Sequence, residues 1–288
     1  MIHILVPFDF SKEATHALDF ASKLSNTYVK LHITLLHVVE YPLNASVGTL
    51  GGGIDPLSDY QSQVYFKELT DQRKKDLDRM VAKLNSSRYS MEALVHVGNI
   101  FREISTVIAE KNPDLIVMGS SGTSGWEEFW IGSNSEKIVR NAPCPVITIK
   151  GETDPNQLKK VVFASTFQEL DPLVAARIKN MQQVFDAEFY FVFINTPGNF
   201  KTSREAFLLL EKFIHKFKFQ DIHTQIYNSL SEESGILEFA DDIGADLIAM
   251  TTHGRTGILH LLTGSIAEDV VNHSKRPVWT LKTTPQKV

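Results

Sequence analysis

Short apolar runs alternate along the chain with longer segments in which apolar side chains recur every three or four residues. In the first half the runs predict strands at residues 2–6, 31–39, 90–97, 115–119 and 146–149. In the second half they predict strands at residues 160–164, 188–194, 222–227, 247–250 and 278–281. The longer segments predict helices at residues 12–25, about 59–84, 100–111, 134–141 and 204–219. Strands that alternate with helices are typical of a mainly parallel sheet covered on both faces. The pattern therefore predicts an α/β fold with two Rossmann-like, doubly wound domains of five strands each.

The last part of each half repeats the other. Residues 114–150 align with residues 246–282 without a gap over 37 positions, at an offset of 132, with 14 identities. Unrelated sequences of average composition would share about two. The starts of the halves align at an offset of 157, so about 25 extra residues lie in the first half, within 41–88. We predict domains at residues 1–150 and 158–283, joined by a short polar linker.

The fourth predicted strand runs into a glycine motif, G-x2-G-x9-G-S, at residues 119–133. Glycines let backbone N–H groups approach a ligand closely, and a helix N-terminus favours anions, so the motif suits phosphate. The hydroxyls of Ser121 and Ser133 add hydrogen-bond donors. Ligands of open α/β sheets bind outside the carboxyl ends of the strands, where Asp9 and Val38 are also expected. A plainer interpretation is that Ser133 and Glu136 form a capping box that only starts a helix, as would Ser265 and Glu268.

These motifs resemble those of the universal stress protein family in its tandem form, once per half. Its ATP-binding members carry the same glycine motif, a V-P-x-D-F-S-like segment, here residues 6–11, and an H-V pair, here residues 37–38. A family-typical G-R-T-G segment occupies residues 254–257. The resemblance implies an adenine nucleotide alpha hydrolase-like fold and a stress-response regulator that binds ATP or AMP.

The resemblance also implies which residues would hold the nucleotide. The expected neighbours of adenine and ribose are Pro7, Phe8, Asp9 and Val38. The expected neighbours of ribose and phosphates are Met118, Gly119, Ser121 and Gly122, and the phosphates would be held by Gly132, Ser133 and Asn134. Mg²⁺ would accompany a triphosphate through phosphate oxygens.

The second half departs from this pattern. Thr251 stands in place of the first glycine, and Thr166 stands in place of Asp9, whereas Gly254, Gly264 and Ser265 keep the rest. We expect at most a weak second site there, and a second half used mainly for pairing.

The last predicted strands of the two halves are short and apolar, and such edges favour pairing. In the family this strand makes the dimer contact, so the halves are expected to pair as an intrachain pseudo-dimer. A homodimer of two chains is a further expectation.

Charge and cysteine content limit the partners. The net charge of −5 and the pI near 6.1 give no basic footprint for nucleic acid. The single cysteine, Cys144, excludes an intrachain disulfide framework and is expected to be buried and unreactive. No segment is apolar over the length of a bilayer and no signal peptide is recognisable, so we expect a cytoplasmic protein without a membrane partner.

Motifs of strong catalysis are missing from the sequence, which has no G-x4-G-K-[ST], H-E-x-x-H or G-x-S-x-G. His37 falls in a strand, where packing is expected rather than catalysis. A nucleotide-binding regulatory module is thus the first hypothesis. The alternatives are a slow ATPase or autophosphorylating protein, with Ser121 or Ser133 as acceptors, and a nucleotide-free interaction scaffold.

Overall fold

The computed structural model describes residues 1–25, 30–40, 56–84, 86–120, 132–168, 171–253 and 263–283. The strands are β1 (Ile2–Pro7), β2 (Leu31–Val39), β3 (Tyr89–Val97), β4 (Leu115–Gly119), β5 (Val146–Ile149), β6 (Lys160–Ala164), β7 (Glu188–Asn195), β8 (Ile222–Asn228), β9 (Leu247–His253) and β10 (Val278–Thr283). The helices are α1 (Lys12–Lys23), α2 (Pro56–Leu84), α3 (Ile100–Lys111), α4 (Ser133–Asn141), α5 (Pro172–Val184), α6 (Ser203–Phe217), α7 (Glu232–Asp242) and α8 (Thr263–His273). In the described part of the chain, no helix is both long and apolar enough to cross a bilayer.

All ten strands form one sheet in the order β3-β2-β1-β4-β5-β10-β9-β6-β7-β8. Each half is a parallel five-stranded sheet, which confirms the predicted fold class. The two halves meet where β5 pairs antiparallel with β10. The predicted pairing of the last strands is therefore present within the chain. Because this pairing occupies both strands, a homodimer of two chains would have to use another surface.

The junction has internal two-fold pseudosymmetry. Val146 lies opposite Thr280 and Thr148 lies opposite Val278, and these residues are related by the repeat offset of 132. The hydroxyl of Thr148 donates to the Val278 carbonyl at 3.3 Å, and the hydroxyl of Thr280 donates to the Val146 carbonyl at 3.4 Å. Both threonines are buried, so these bonds satisfy polar groups that would otherwise be desolvated without a partner.

Helices cover both faces of the sheet. Because neighbouring residues of a strand point to opposite faces, their side chains enter two different cores. Ile4 and Val6 enter the core beneath α1, α2, α5 and α6, whereas Leu5 enters the core beneath α3, α4, α7 and α8. Each core runs through both halves, so the apolar layers are continuous across the β5–β10 junction.

One helix places one of its four predicted core residues outside the core. The helical spacing of Phe207, Leu210, Ile214 and Phe217 predicts a core stripe on α6. Leu210 is fully buried, and Ile214 and Phe217 pack against the core, so the prediction holds for these three. It is wrong for Phe207, whose side chain is 45% exposed, because the buried face of α6 is centred on Ala206, Leu210 and Phe213, where the Phe213 ring packs against the sheet.

The Cys144 side chain is buried, as predicted, just before β5. Burial raises the pKa of its thiol to about 12. At pH 8 a thiol of that pKa is about one ten-thousandth ionised, against about a quarter for an ordinary thiol. We expect alkylation by iodoacetamide at pH 8 to be about a thousandfold slower in the folded protein than in guanidinium chloride, as measured by mass spectrometry. Equal rates in the two states would contradict this.

Candidate functional site

The candidate site lies at the carboxyl edge of the first half-sheet. Strand β1 pairs with β2 on one side and with β4 on the other. The chain therefore adds β2 and β3 on one side of β1, and β4 and β5 on the opposite side. Such a switch point opens a crevice between the ends of β1 and β4. The described residues of the predicted set lie around this crevice, namely Pro7, Phe8, Asp9, Val38, Met118, Gly119, Gly132, Ser133 and Asn134. Ser121, Gly122 and Gly254 lie outside the described residues.

The turn from β1 into α1 presents Asp9 on this edge. The Asp9 Oδ1 atom accepts a hydrogen bond from the Ser11 backbone N–H at 3.0 Å. Ser11 caps α1, because its Oγ accepts from the Ala14 N–H at 3.1 Å. Phe10, between them, has φ 65, a left-handed conformation, and its equivalent Phe167 has φ 54. The same tight turn is thus used in both halves, but only the first half carries a carboxylate in it.

His37 supports this turn from β2. Its Nδ1 atom lies 2.7 Å from the Phe8 carbonyl oxygen, to which it can only donate, and its ring packs edge-on against Phe10 at 5.0 Å. Burial lowers the pKa of His37, so the ring is neutral at neutral pH. The Arg73 guanidinium lies over the same Phe10 ring, 4.8 Å from its centroid. His37 is packed, as the sequence analysis expected.

Phe8 and Met118 occupy the predicted positions, but their side chains belong to the cores. They are 3% and 4% exposed, respectively. Only their backbone atoms are available at the edge, and the Phe8 N–H is already bonded to the Leu36 carbonyl at 2.7 Å. Val38 is half-buried at the end of β2, where an apolar side chain could contact a base.

Gly119 is required by a close approach of β4 to α1. A Cβ built on Gly119 would lie 2.8 Å from Glu13 Cβ and 3.0 Å from the Glu13 carbonyl carbon. Contacts under 3.0 Å do not occur in real structures, so any side chain at 119 would push the strand end away from the helix. The first glycine of the motif thus has a packing role in addition to any ligand.

Backbone hydrogen bonds bring the two ends of the motif together. The Ser120 N–H donates to the Ile149 carbonyl at 3.0 Å, and the Gly132 N–H donates to the Ser120 carbonyl at 2.7 Å. The Ser135 hydroxyl then donates to the Gly119 carbonyl at 3.2 Å, which ties the first turn of α4 to the end of β4. The start of α4 is therefore held against the strand end that carries Gly119.

The capping box expected at Ser133 is wrong. The cap of α4 is Gly132, which offers no side-chain acceptor, and Ser133 is the first helical residue. The Glu136 carboxylate accepts a hydrogen bond from Arg140 at 3.3 Å instead of capping. The first N–H groups of a helix have no intrahelical partner, and an uncapped start leaves them available to an anion.

The corresponding edge of the second half is built differently. Strand β9 continues past Thr251, with Thr252 and His253 paired to Lys282 and Thr283 of β10, whereas β4 ends at the position equivalent to Thr251. The turn after β6 is held by a hydroxyl, because the Phe167 N–H donates to Ser165 Oγ at 3.3 Å.

The prediction of a capping box from Ser265 and Glu268 is also wrong. Helix α8 begins at Thr263, so Gly264 and Ser265 lie in its first turn and Ser265 is not the cap. The Glu268 carboxylate instead pairs with Arg140 across the junction of the halves.

Comparison with known proteins decides the family. The sequence profile of the Universal stress protein family matches residues 1–150 and, a second time, residues 158–282. The chain belongs to the universal stress protein family. It is a tandem member, in which the family unit occurs twice.

Sequence relatives of this universal stress protein match one unit. A universal stress protein of Methanocaldococcus jannaschii is 26% identical over 156 residues, which are 51% of this chain and 93% of that protein. A putative universal stress protein of Staphylococcus aureus is 28% identical over 148 residues, which are 46% of this chain and 89% of that protein.

Solved structures also match the chain over nearly its whole length. A universal stress protein from Archaeoglobus fulgidus has a TM-score of 0.72 at 21% identity, covering 97% of this chain and 98% of that chain. A putative universal stress protein from Pseudomonas aeruginosa has a TM-score of 0.60 at 18% identity, covering 97% and 92%. These similarities show that the fold of the full chain occurs in other universal stress proteins.

Proposed function

We propose that this protein is a stress-response regulator that binds an adenine nucleotide, ATP or AMP, at the carboxyl edge of its first half. The observation that carries the proposal is the juxtaposition of three features: the glycine at the end of β4, the start of α4 without a side-chain cap, and Asp9 at the end of β1. The second half, which has threonines at two of these positions, serves mainly to pair with the first.

The α4 end of the crevice suits the phosphates. The first turn of α4, which follows its cap Gly132, supplies backbone N–H groups and the positive end of the helix dipole, and Ser133 adds a hydroxyl. The bond from Gly132 to Ser120 holds this helix start beside β4. Phosphate oxygens placed here would accept hydrogen bonds that α4 itself leaves unmade.

The β1 and β2 end suits the nucleoside. Asp9 has carboxylate oxygens that can accept hydrogen bonds from ribose hydroxyls, and Val38 offers an apolar contact for the base. Mg²⁺ would arrive with a triphosphate and bind chiefly through phosphate oxygens, since it retains most of its water and one or two carboxylates suffice.

Titration with a fluorescent ATP analogue in the presence of Mg²⁺ tests the proposal. We expect one site per chain, because the second half lacks the carboxylate and the first glycine. Competition with unlabelled ATP and AMP then measures how much the β- and γ-phosphates contribute to the affinity. Two equivalent sites per chain, or no binding, would contradict the proposal.

Asp9→Ala should weaken binding at least tenfold, because a hydrogen bond to a charged group contributes about 1.5–3 kcal/mol. Asp171→Ala is the matched control. The Asp171 Oδ1 atom accepts from the Leu173 N–H at 2.8 Å, which is the same local bond that Asp9 makes with Ser11, but at the start of α5 in the second half. Both variants lose this bond, and only Asp9→Ala should lose affinity. Equal affinities would remove Asp9 from the site.

A further inference from the structure

Two histidines and a glutamate meet at the opposite, amino edge of the first half-sheet. His3 on β1 lies beside His32 on β2, and Glu92 on β3 lies beside Thr34 of β2. One ligand atom from each of His3, His32 and Glu92 lies within 4.8 Å of the others. All three side chains are half-buried. No sequence motif links them, because they come from three separate strands.

The hydrogen bonds around the cluster orient both rings. His3 Nδ1 lies 3.2 Å from the Lys111 carbonyl oxygen, and its Nε2 lies 2.8 Å from Thr34 Oγ1. His32 Nδ1 lies 2.8 Å from Ser90 Oγ, and its Nε2 lies 3.4 Å from Glu92 Oε1. In each ring Nδ1 has an outer partner and Nε2 points inward. Metal-bound histidines are held in this way, with the outer nitrogen bonded to a carbonyl or a polar side chain.

We propose that His3, His32 and Glu92 form a binding site for a divalent transition metal ion, with Zn²⁺ as its representative ligand. Two imidazoles and one carboxylate are a donor set that Zn²⁺ accepts, whereas Mg²⁺ and Ca²⁺ prefer oxygen ligands alone. Zinc–ligand bonds of about 2.0–2.2 Å place tetrahedral ligand atoms about 3.4 Å apart. The three atoms lie within 4.8 Å of one another, so they need to approach by at most about 1.4 Å. Three protein ligands leave the fourth position for water.

Lys111 competes with a metal ion for the Glu92 carboxylate. Its Nζ atom lies 3.0 Å from Glu92 Oε1, with 37% of its side chain exposed. A bound metal ion would displace this ammonium group into solvent, so part of the metal's binding energy is spent on breaking the ion pair. Removing Lys111 should strengthen metal binding, while removing a ligand should weaken it.

Isothermal titration of nucleotide-free, tag-free full-length protein with Zn²⁺ tests the site. We expect one Zn²⁺ per chain, at least tenfold weaker binding in His32→Ala and Glu92→Gln, and tighter binding in Lys111→Gln. His223→Ala is the matched control, because His223 lies 4.0 Å from Glu188 on the second half and no described residue joins this pair as a third ligand. Its affinity should equal that of the unsubstituted protein.

Thermal unfolding separates metal binding from a purely structural role of the cluster. Zn²⁺ should raise the melting temperature of the unsubstituted protein but not that of His32→Ala. If His32→Ala does not fold, Glu92→Gln provides the same comparison. No Zn²⁺ binding, or binding unchanged in both ligand variants, would overturn the proposal. The result is independent of the nucleotide proposal, since the two sites lie at opposite ends of β1, where His3 and Pro7 are about 13 Å apart at about 3.3 Å per residue.

Discussion

Gly119→Val will weaken nucleotide binding about a hundredfold and lower the free energy of unfolding by about 1–3 kcal/mol. The new Cβ alone would lie 2.8 Å from Glu13 Cβ, with backbone of α1 directly behind it. The end of β4 and the start of α1 must separate to relieve this contact. That movement shifts Asp9 relative to α4, and a displacement of about 1 Å at such a site costs on the order of a hundredfold in function.

Analogue titration and denaturant unfolding measure the two effects separately. Gly151→Ala is the control, because a Cβ at Gly151 would have no neighbour within 4 Å. It should leave both affinity and stability unchanged. A folded Gly119→Val protein with normal affinity would show that the end of β4 does not form the nucleotide site.

Trp279→Ala should lower the free energy of unfolding by about 3–5 kcal/mol, one of the largest effects expected of a single substitution. Trp279 is 3% exposed and lies opposite Ile147 of the other half, at the centre of the β5–β10 pairing. Its loss leaves a cavity in a core to which both halves contribute.

Denaturant unfolding followed by far-ultraviolet circular dichroism measures this, since the substitution removes a fluorophore. Phe207→Ala is the control, because its aromatic ring is 45% exposed and should contribute little. We expect one cooperative unfolding transition, whose midpoint shifts to a lower denaturant concentration in Trp279→Ala. Two transitions of which Trp279→Ala moves only one would show that the halves unfold independently.

Local patterns predict most of the elements, because strand and helix periodicity is written along the chain. The predicted strand at residues 247–250 is nevertheless too short, since β9 runs to His253. The extension depends on Lys282 and Thr283 of β10 as pairing partners, which lie far away in sequence. The capping boxes expected near the starts of α4 and α8 do not form, for a related reason. Serine followed three residues later by glutamate predicts a cap, but Glu136 and Glu268 both pair with Arg140 at the junction of the halves.

The amino-acid sequence alone indicates the duplication and the α/β class, and it predicts the pairing of the last strands and the residues of the candidate nucleotide site. These predictions follow from periodicity, from motifs confined to short segments and from the resemblance that those motifs carry. Only the folded chain shows the antiparallel register of β5 and β10, the close approach of Gly119 to Glu13, and the meeting of His3, His32 and Glu92. The physical reason is strand register. Register is fixed by the packing of whole elements, and it places side chains from distant strands within a few ångströms of one another.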